Sequence, residues 1–195
     1  MQVVIIDYGA GNLFSVQQAF NRLGVATLLS NDPNVIKTAS HVIFPGVGHA
    51  ESAMQQLKAT QLDRLIPQLK QPVLGICLGM QLMCEYTEEG EVKGLGIFKT
   101  TVRKIETTLP VPHMGWNDVQ LNEKSSPFYF VHSYVAEVCE QSIGICNYSE
   151  PFSAVLKQNQ FLGAQFHPEK SGEAGEEFLK QFLLMNQKSS KKTIL

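Results

Sequence analysis

The sequence lacks the features that mark secreted, membrane-spanning and metal-stabilised proteins. Its four cysteines, Cys77, Cys84, Cys139 and Cys146, form no C-x-x-C pair, which argues against a structural zinc site. No stretch approaches the roughly 20 apolar residues of a membrane span, and the apolar run at residues 1–7 has no basic flank. We therefore expect a cytoplasmic protein with free thiols and no metal or other cofactor.

An excess of one charge is also missing. The chain has 16 Lys and Arg against 18 Asp and Glu, a formal net charge of −2, so we expect neither a nucleic-acid nor a membrane partner. A length of 195 residues with 44% hydrophobic side chains suits one globular domain with a substantial core. We assign residues 1–187 to this domain and residues 188–195 to a flexible C-terminal tail.

The first half of the chain alternates short apolar runs with helical patterns. Continuous apolar runs of this length are typical of strands buried on both faces of a parallel sheet, with right-handed helical crossovers between them. The predicted strands are residues 3–7, 26–30, 41–44 and 72–76, and the predicted helices are residues 12–23, 50–70 and 78–86.

The second half is dominated by strand patterns and closes with a helix. The last two strands are separated by Gln158-Asn159-Gln160, which predicts a hairpin-like turn. The fold class is therefore α/β, flavodoxin-like, with a central, mostly parallel sheet flanked by helices and an antiparallel extension in the second half. The predicted strands are residues 99–107, 128–138, 142–148, 152–157 and 161–166, followed by a helix at residues 174–186.

Cys77 lies in the sequence Gly75-Ile76-Cys77-Leu78-Gly79, between a predicted strand and a predicted helix. A G-x-[SC]-x-G segment in this position is the nucleophile-elbow pattern, in which small flanking residues allow a sharp turn. The helix N-terminus beyond it favours a thiolate. The alternative is an ordinary buried cysteine, since free cysteines are often found in cores.

His167-Pro168-Glu169 follows the last predicted strand and supplies a base for this nucleophile. His167 would exchange the proton of the thiol, and Glu169 would hold the imidazole in the right tautomer, as in a catalytic triad. The alternative is a structural histidine. The competing bases lack a carboxylate at comparable spacing and are His41, His49, His113 and His132.

Two glycine-rich turns follow other predicted strands. Pro45-Gly46-Val47-Gly48 could offer backbone N–H groups to an oxyanion, together with the N–H of Leu78 after the nucleophile; otherwise it is a plain strand-ending turn. Gly9-Ala10-Gly11 suggests a dinucleotide fingerprint, but Phe14 occupies the position of the third glycine. We therefore do not expect nucleotide binding.

The elbow, extended to Gln81, and the His167-Pro168-Glu169 segment together resemble the class I (triad-type) glutamine amidotransferases. Further motifs are similar to those of the glutaminase subunits of imidazole glycerol phosphate synthases, and the resemblance covers residues 1–186. These motifs are Asp7-Tyr8-Gly9-Ala10-Gly11-Asn12, Pro45-Gly46-Val47-Gly48, His113-Met114-Gly115-Trp116-Asn117 and Tyr129-Phe130-Val131-His132-Ser133-Tyr134.

The resemblance implies a class I glutamine amidotransferase fold and hydrolysis of glutamine to glutamate and ammonia through a thioester on Cys77. The ammonia would pass to a separate (βα)8-barrel cyclase subunit in a heterodimer, giving imidazole glycerol phosphate and an aminoimidazole carboxamide ribotide in histidine biosynthesis. The implied glutamine-binding residues are Gly48, Gln81, Glu89, His132, Ser133 and Tyr134. The implied interface residues are Asn12, Trp116, Asn117 and Lys170.

Several alternatives stay open at this point. Glu85 and Glu88 compete with Glu89 for the ammonium of glutamine, and the alternative for Trp116 is a core position. The glutaminase could serve pyridoxal phosphate, anthranilate or guanylate synthesis, or the chain could be a non-catalytic flavodoxin-like protein with an elbow cysteine. Val47 is β-branched and resists positive φ, so we expect the oxyanion loop to rest in an inactive state until the cyclase docks.

Overall fold

The computed structural model describes residues 1–9 and 11–185, and it contains six helices and thirteen strands within those residues. The helices are α1 (Leu13–Arg22), α2 (Pro33–Thr38), α3 (Ala50–Ala59), α4 (Leu62–Leu65), α5 (Leu78–Met83) and α6 (Gly172–Leu184). The strands are β1 (Val3–Ile6), β2 (Thr27–Ser30), β3 (His41–Gly46), β4 (Val73–Cys77), β5 (Cys84–Thr87), β6 (Val92–Lys93), β7 (Phe98–Lys104), β8 (His113–Leu121), β9 (Lys124–His132), β10 (Tyr134–Ala136), β11 (Ser142–Tyr148), β12 (Glu150–Gln158) and β13 (Phe161–Ala164).

Five parallel strands form the half of the sheet that carries the elbow, in the order β2-β1-β3-β4-β13. Every residue of β1, β3, β4 and β13 is buried, which explains their unbroken apolar sequences. Alternate residues point to opposite faces, so Val4 and Ile6 join one apolar cluster while Val3 and Ile5 join the other. The predicted mostly parallel sheet is confirmed.

The antiparallel extension is confirmed as well. β12 pairs antiparallel with β13 across a turn at Asn159 and Gln160, and β10, β7, β5 and β6 continue the sheet from β12. β11 also pairs with β12 and leads to β8, which forms a hairpin with β9. Because β9 ends and β10 begins beside the carboxyl end of β4, this extension forms one wall of the space around the elbow.

The sequence prediction was wrong in several places. The helix predicted at residues 50–70 is divided into α3, α4 and a 3-10 turn at Ile66–Gln68. The helix after the elbow ends at Met83, because residues 84–87 pair as β5 with β7 and gain backbone partners that a longer helix would not have. The strand predicted at residues 128–138 is divided at Ser133, whose carbonyl accepts from Ile105 N at 2.9 Å. Strand β8 and helix α2 were not predicted. The predicted tail at residues 188–195 lies outside the described residues.

Candidate active site

Cys77 is the last residue of β4 and the N-cap of α5, with φ +52° and ψ −110°. Positive φ is unusual for a residue with a Cβ and marks a strained turn of the kind found at functional sites. The flanking glycines permit it: a Cβ on Gly75 would lie 2.9 Å from Met80 N, and one on Gly79 would overlap the Phe44 carbonyl oxygen. The structure therefore has the backbone geometry of a nucleophile elbow at Cys77.

His167 and Glu169 meet this thiol from the loop after β13. Glu169 lies in a short 3-10 turn, Pro168–Lys170, and its Oε1 lies 2.8 Å from His167 Nδ1 with both side chains buried. Hydrogen bonds connect this turn to β9. His167 N donates to Tyr129 O at 2.9 Å. Ser171 Oγ donates to His167 O at 2.6 Å and accepts from Tyr129 N at 3.0 Å. Ser171 was not singled out from the sequence.

The charge state of His167 follows from its neighbours. Burial by itself lowers the pKa of His167, but its interactions with Cys77 and Glu169 outweigh burial and raise the pKa to about 10. Nδ1 of His167 is hydrogen-bonded to Glu169. The other ring nitrogen, Nε2, is buried and has no hydrogen-bond partner among the described residues. That nitrogen is the one left to exchange a proton with the thiol.

Cys77 and His167 open into a cleft of about 450 Å³. Most of the site residues predicted from the sequence line this cleft. They are Asn12, Val47, Gly48, Leu78, Gln81, Glu89, His132, Ser133, Tyr134 and Lys170. Gly46 lies at the end of β3, paired with Cys77, and Glu169 lies behind His167. Pro112 and Val131 also line the cleft without having been singled out.

The three competing glutamates are separated by their contacts. Glu85 pairs with Lys99 at 3.0 Å on the surface, and Glu88 accepts from Lys104 N at 2.8 Å. Only Glu89 lines the cleft, where its Oε2 accepts from Ala50 N at 2.9 Å, at the start of α3. Of the three, Glu89 is therefore the carboxylate placed to meet an ammonium group in the cleft.

The backbone of the glycine-rich loop is consistent with its sequence. The positive φ falls on Gly48, at +100°, and not on Val47. A Cβ on Gly46 would lie 2.7 Å from Gly79 N, so this position needs glycine for close packing against the elbow. The side chain of Val47 is 43% exposed at the cleft.

Two further histidines, His113 and His132, form a hydrogen-bonded pair beside the same cleft. His113 Nδ1 is 3.0 Å from His132 Nε2, and His132 Nδ1 is 2.9 Å from Tyr134 O. Burial lowers the pKa of His113 to about 4 and that of His132 to about 3, so both rings are neutral at pH 7. Because a carbonyl only accepts, Nδ1 of His132 carries its proton, and the proton between the two rings belongs to His113.

The predicted interface residues lie around the mouth of the cleft and beside it. Trp116 is 57% exposed, which excludes a core position, and packs edge-on against Tyr129 at 6.1 Å between ring centroids. Lys170 Nζ lies 5.9 Å from the centre of the same Tyr129 ring. Asn117 Nδ2 donates to Asn147 O at 3.0 Å, and Asn12 caps α1 through Ser15 N at 3.2 Å.

Within residues 1–9 and 11–185, no three His, Cys, Asp or Glu side chains are grouped as metal ligands would be, and the four cysteines form no disulfide. In the same residues no helix is long and apolar enough to cross a membrane.

Comparisons with known proteins agree with this site. The sequence profile of the family "Glutamine amidotransferase class-I" matches residues 4–186. The chain is 50% identical to imidazole glycerol phosphate synthase subunit HisH of Bacteroides fragilis (strain YCH46), over 94% of this chain and 99% of that protein. The HisH subunit of Haemophilus influenzae (strain Rd) is 47% identical, over 94% of this chain and 97% of its own length.

Solved structures with low sequence identity share the fold. A crystal structure of a glutamine amidotransferase superposes with a TM-score of 0.77 at 16% identity, over 92% of this chain and 96% of that one. The structure of PurLQS from Thermotoga maritima gives a TM-score of 0.72 at 15% identity, over 93% and 97% of the two chains.

Proposed function

The chain belongs to the class I glutamine amidotransferases and has a glutamine amidotransferase role in histidine biosynthesis, and from that premise we propose which residues perform its chemistry. We propose that Cys77 is the nucleophile, that His167 carries the proton, and that Glu169 orients and charges the imidazole. The observation that supports this assignment best is one cleft in which a strained elbow thiol meets a carboxylate-paired histidine.

Glutamine hydrolysis then proceeds in two halves. Because the pKa of His167 is raised to about 10, the imidazole holds a proton that it can later give to the leaving group. In the first half of the proposed reaction, the thiolate of Cys77 attacks the side-chain carboxamide carbon. His167 gives its proton to the departing nitrogen, which leaves as ammonia. His167 next removes a proton from water, the hydroxide attacks the thioester carbon, and the C–S bond breaks to release glutamate and the thiolate.

We propose that the remaining cleft residues hold the α-amino and α-carboxylate groups of glutamine. Glu89 would pair with the α-ammonium, since it is the only one of the three nearby glutamates that lines the cleft. Gln81 already donates both hydrogens of its amide, to Tyr134 O and Gln165 Oε1, so it offers a ligand only its acceptor oxygen. The other residues in this set are Gly48, His132, Ser133 and Tyr134.

The oxyanion of each tetrahedral intermediate would be bound by backbone N–H groups near the elbow. Leu78 N–H is at the first position of α5, where helix N–H groups have no intrahelical acceptor, and no side chain caps this helix. The other donors come from the loop at Gly46 and Val47. Removing one such donor typically lowers kcat by about 10²–10³-fold, so the orientation of the loop also matters for the rate.

Val47 is proposed to keep the loop inactive in the free subunit, because its backbone stays out of the positive-φ region. We expect Val47→Gly to raise the glutamate release of the chain without its partner by several-fold. The measurement is steady-state glutamate production by the purified variant alone, with its circular dichroism spectrum as the folding control. Unchanged or lower basal activity in a folded Val47→Gly chain would contradict the idea.

The partner of the chain is a cyclase subunit, and we propose that it is a (βα)8 barrel that forms a heterodimer on the face carrying the cleft. Ammonia must leave this face unprotonated, and the exposed Trp116 stands beside it as a large apolar anchor. Lys170 lines the cleft and is placed to pair with a carboxylate across the interface. Asn12 and Asn117 complete the proposed contact set, and we expect the complex to work in the cytoplasm.

The test is glutamate release by the purified chain, alone, with the cyclase, and with the cyclase plus its ribonucleotide ligand. We expect low activity alone, a steep rise with cyclase and ligand, and none in Cys77→Ala. Cys146→Ala, which removes another buried thiol away from the cleft, is the matched control. Activity that is equally high in all three mixtures would contradict partner gating, and activity retained by Cys77→Ala would contradict the triad.

A further inference from the structure

Gln165 is completely buried, directly precedes Phe166 and His167, and contacts the nucleophile. Its Nε2 lies 3.8 Å from Cys77 Sγ, the length of a weak N–H···S hydrogen bond, and its backbone N donates to Ala154 O at 2.9 Å. The triad mechanism assigns no role to the side-chain amide of Gln165, although this amide contacts the reacting sulfur of Cys77.

The orientation of this amide is determined by its neighbour. Tyr134 O can only accept, so the amide nitrogen of Gln81, 2.9 Å away, must face it. The second hydrogen on Gln81 Nε2 then goes to Gln165 Oε1, also at 2.9 Å. With its oxygen engaged in this way, Gln165 presents its NH₂ group to the sulfur.

The Tyr134 carbonyl, which binds Gln81, is itself fixed by a second series of hydrogen bonds. Tyr134 O accepts from His132 Nδ1 as well as from Gln81, so both of its lone pairs are used. His132 Nε2 in turn accepts from His113 Nδ1 at 3.0 Å, and His113 Nε2 lies 3.3 Å from Asn117 Nδ2. The donors therefore run in a defined direction from β8 to the Tyr134 carbonyl, which two hydrogen bonds hold in place.

We propose that Gln165 is a further catalytic residue, whose side-chain N–H donates to the sulfur of Cys77 and holds the thiolate in place for attack, with Gln81 as the residue that positions the amide. This proposal rests on the assignment of Cys77 as the nucleophile. As a thiol, Cys77 can donate to Val131 O, 4.0 Å away; as a thiolate it can only accept. The Gln165 donor therefore favours the thiolate, and hydrogen bonds to charged groups are stronger than those between neutral groups.

The test compares Gln165→Met, which keeps the shape and removes the donor, with Gln71→Met. Gln71 is a matched control because it is also buried, donates to Ile36 O, and lies outside the cleft. Two quantities are measured: the rate constant for iodoacetamide alkylation of Cys77 in the full chain, and kcat for glutamate release with cyclase and its ligand. We expect both to fall by about tenfold in Gln165→Met, with KM changing less than twofold, because the lost donor is on the nucleophile.

A second variant and a second measurement cover the case in which Gln165→Met does not fold. Gln165→Leu is uncharged and also removes the donor, so alkylation should slow at least as much. In the wild-type chain, alkylation of Cys77 should shift the side-chain amide proton resonances of Gln165 and leave those of Gln71 in place.

The possible failures are distinguishable. Alkylation and kcat within twofold of the Gln71→Met control, or amide resonances of Gln165 that do not respond to alkylation, would overturn the role of Gln165. If Cys77→Ala is inactive in the same assay, the triad stands and only the Gln165 proposal fails. If Cys77→Ala still releases glutamate, the triad itself fails.

Discussion

His132 and His167 line one cleft and are almost equally buried, yet their pKa values move in opposite directions, to about 3 and about 10. Burial lowers the pKa of both imidazoles. His167 has a carboxylate on Nδ1 and Cys77 as a further neighbour that raises its pKa. His132 has the Tyr134 carbonyl on one nitrogen and the neutral His113 on the other, within a group of aromatic rings.

The comparison shows that the nearest charge, and not depth in the protein, sets the role of each histidine here. A charged imidazole can give a proton to a leaving nitrogen, whereas a neutral imidazole with both nitrogens engaged can only hold its partners in place. Glu169 two residues after His167 marks the first kind in the sequence, and no such neighbour accompanies His113 or His132.

Removing the carboxylate should reduce the difference in pKa between the two histidines and give the largest effect on activity. In Glu169→Gln the amide cannot stabilise the imidazolium and can force the wrong tautomer, so we expect kcat for glutamate release to fall by about 10³–10⁴-fold. The pKa of His167, followed by NMR of the ring protons, should fall toward the lowered range of His132. Activity is measured with cyclase and its ligand present.

Glu173→Gln is the control for this experiment, because Glu173 is an exposed carboxylate in the first turn of α6. It should leave both kcat and the titration of His167 unchanged. A loss of less than tenfold in a folded Glu169→Gln variant would show that the carboxylate is dispensable and that Cys77 alone charges the histidine.

Acid should destabilise the folded chain through the neutral pair of His113 and His132. His113 and His132 take up protons near pH 6.5 when unfolded, but only at about pH 4 and 3 when folded. The unfolded state therefore binds more protons as pH falls below 6.5. Each histidine should then lower the free energy of unfolding by up to about 1.4 kcal/mol per pH unit. The folded pKa of His167 is raised to about 10, so this residue stays protonated in the folded chain, whereas in the unfolded chain it takes up its proton near pH 6.5. Its contribution to the slope therefore has the opposite sign between pH 7 and 6 and fades below about pH 6.

The measurement is urea unfolding of the chain at pH 7, 6 and 5, where most carboxylates stay ionised. His113→Gln should lose part of the fall in stability between pH 6 and 5, because one histidine with a lowered folded pKa is gone while His132 and His41 remain. A slope that is the same in wild type and His113→Gln would mean that the pair is not neutral in the folded chain.

The residues of the proposed triad could be selected from the sequence because each part of the pattern is local. Gly75, Cys77 and Gly79 lie within five residues, and His167 and Glu169 lie within three, so each fragment is recognisable without knowledge of the fold. The parallel half of the sheet could also be predicted, since β1, β3 and β4 are short apolar runs separated by helical patterns.

The polar chain behind the triad could not be predicted in this way. Gln165 is 84 residues from Gln81 and 88 from Cys77, and Gln81 is 53 residues from Tyr134, so only the folded sheet brings them together. The missed strand β8 has the same cause. Its alternation of buried and exposed positions includes the exposed Met114 and Trp116, and its pairing with β9 gives a strand that these residues alone do not indicate.

Breaking the link between the two neutral histidines should give the smallest effect and measure what the pair contributes as structure. His113→Leu leaves Nε2 of His132 buried without its donor, so we expect the free energy of unfolding to fall by about 1–3 kcal/mol. His113→Gln can return an N–H to the same atom and should recover part of this loss.

Because Tyr134 O keeps its hydrogen bond from Gln81, kcat should fall less than tenfold in either variant. Equal destabilisation by Leu and Gln in urea unfolding would instead assign the effect to the ring stacked on Tyr148 at 4.0 Å between centroids, and the hydrogen bond between the histidines would then contribute little.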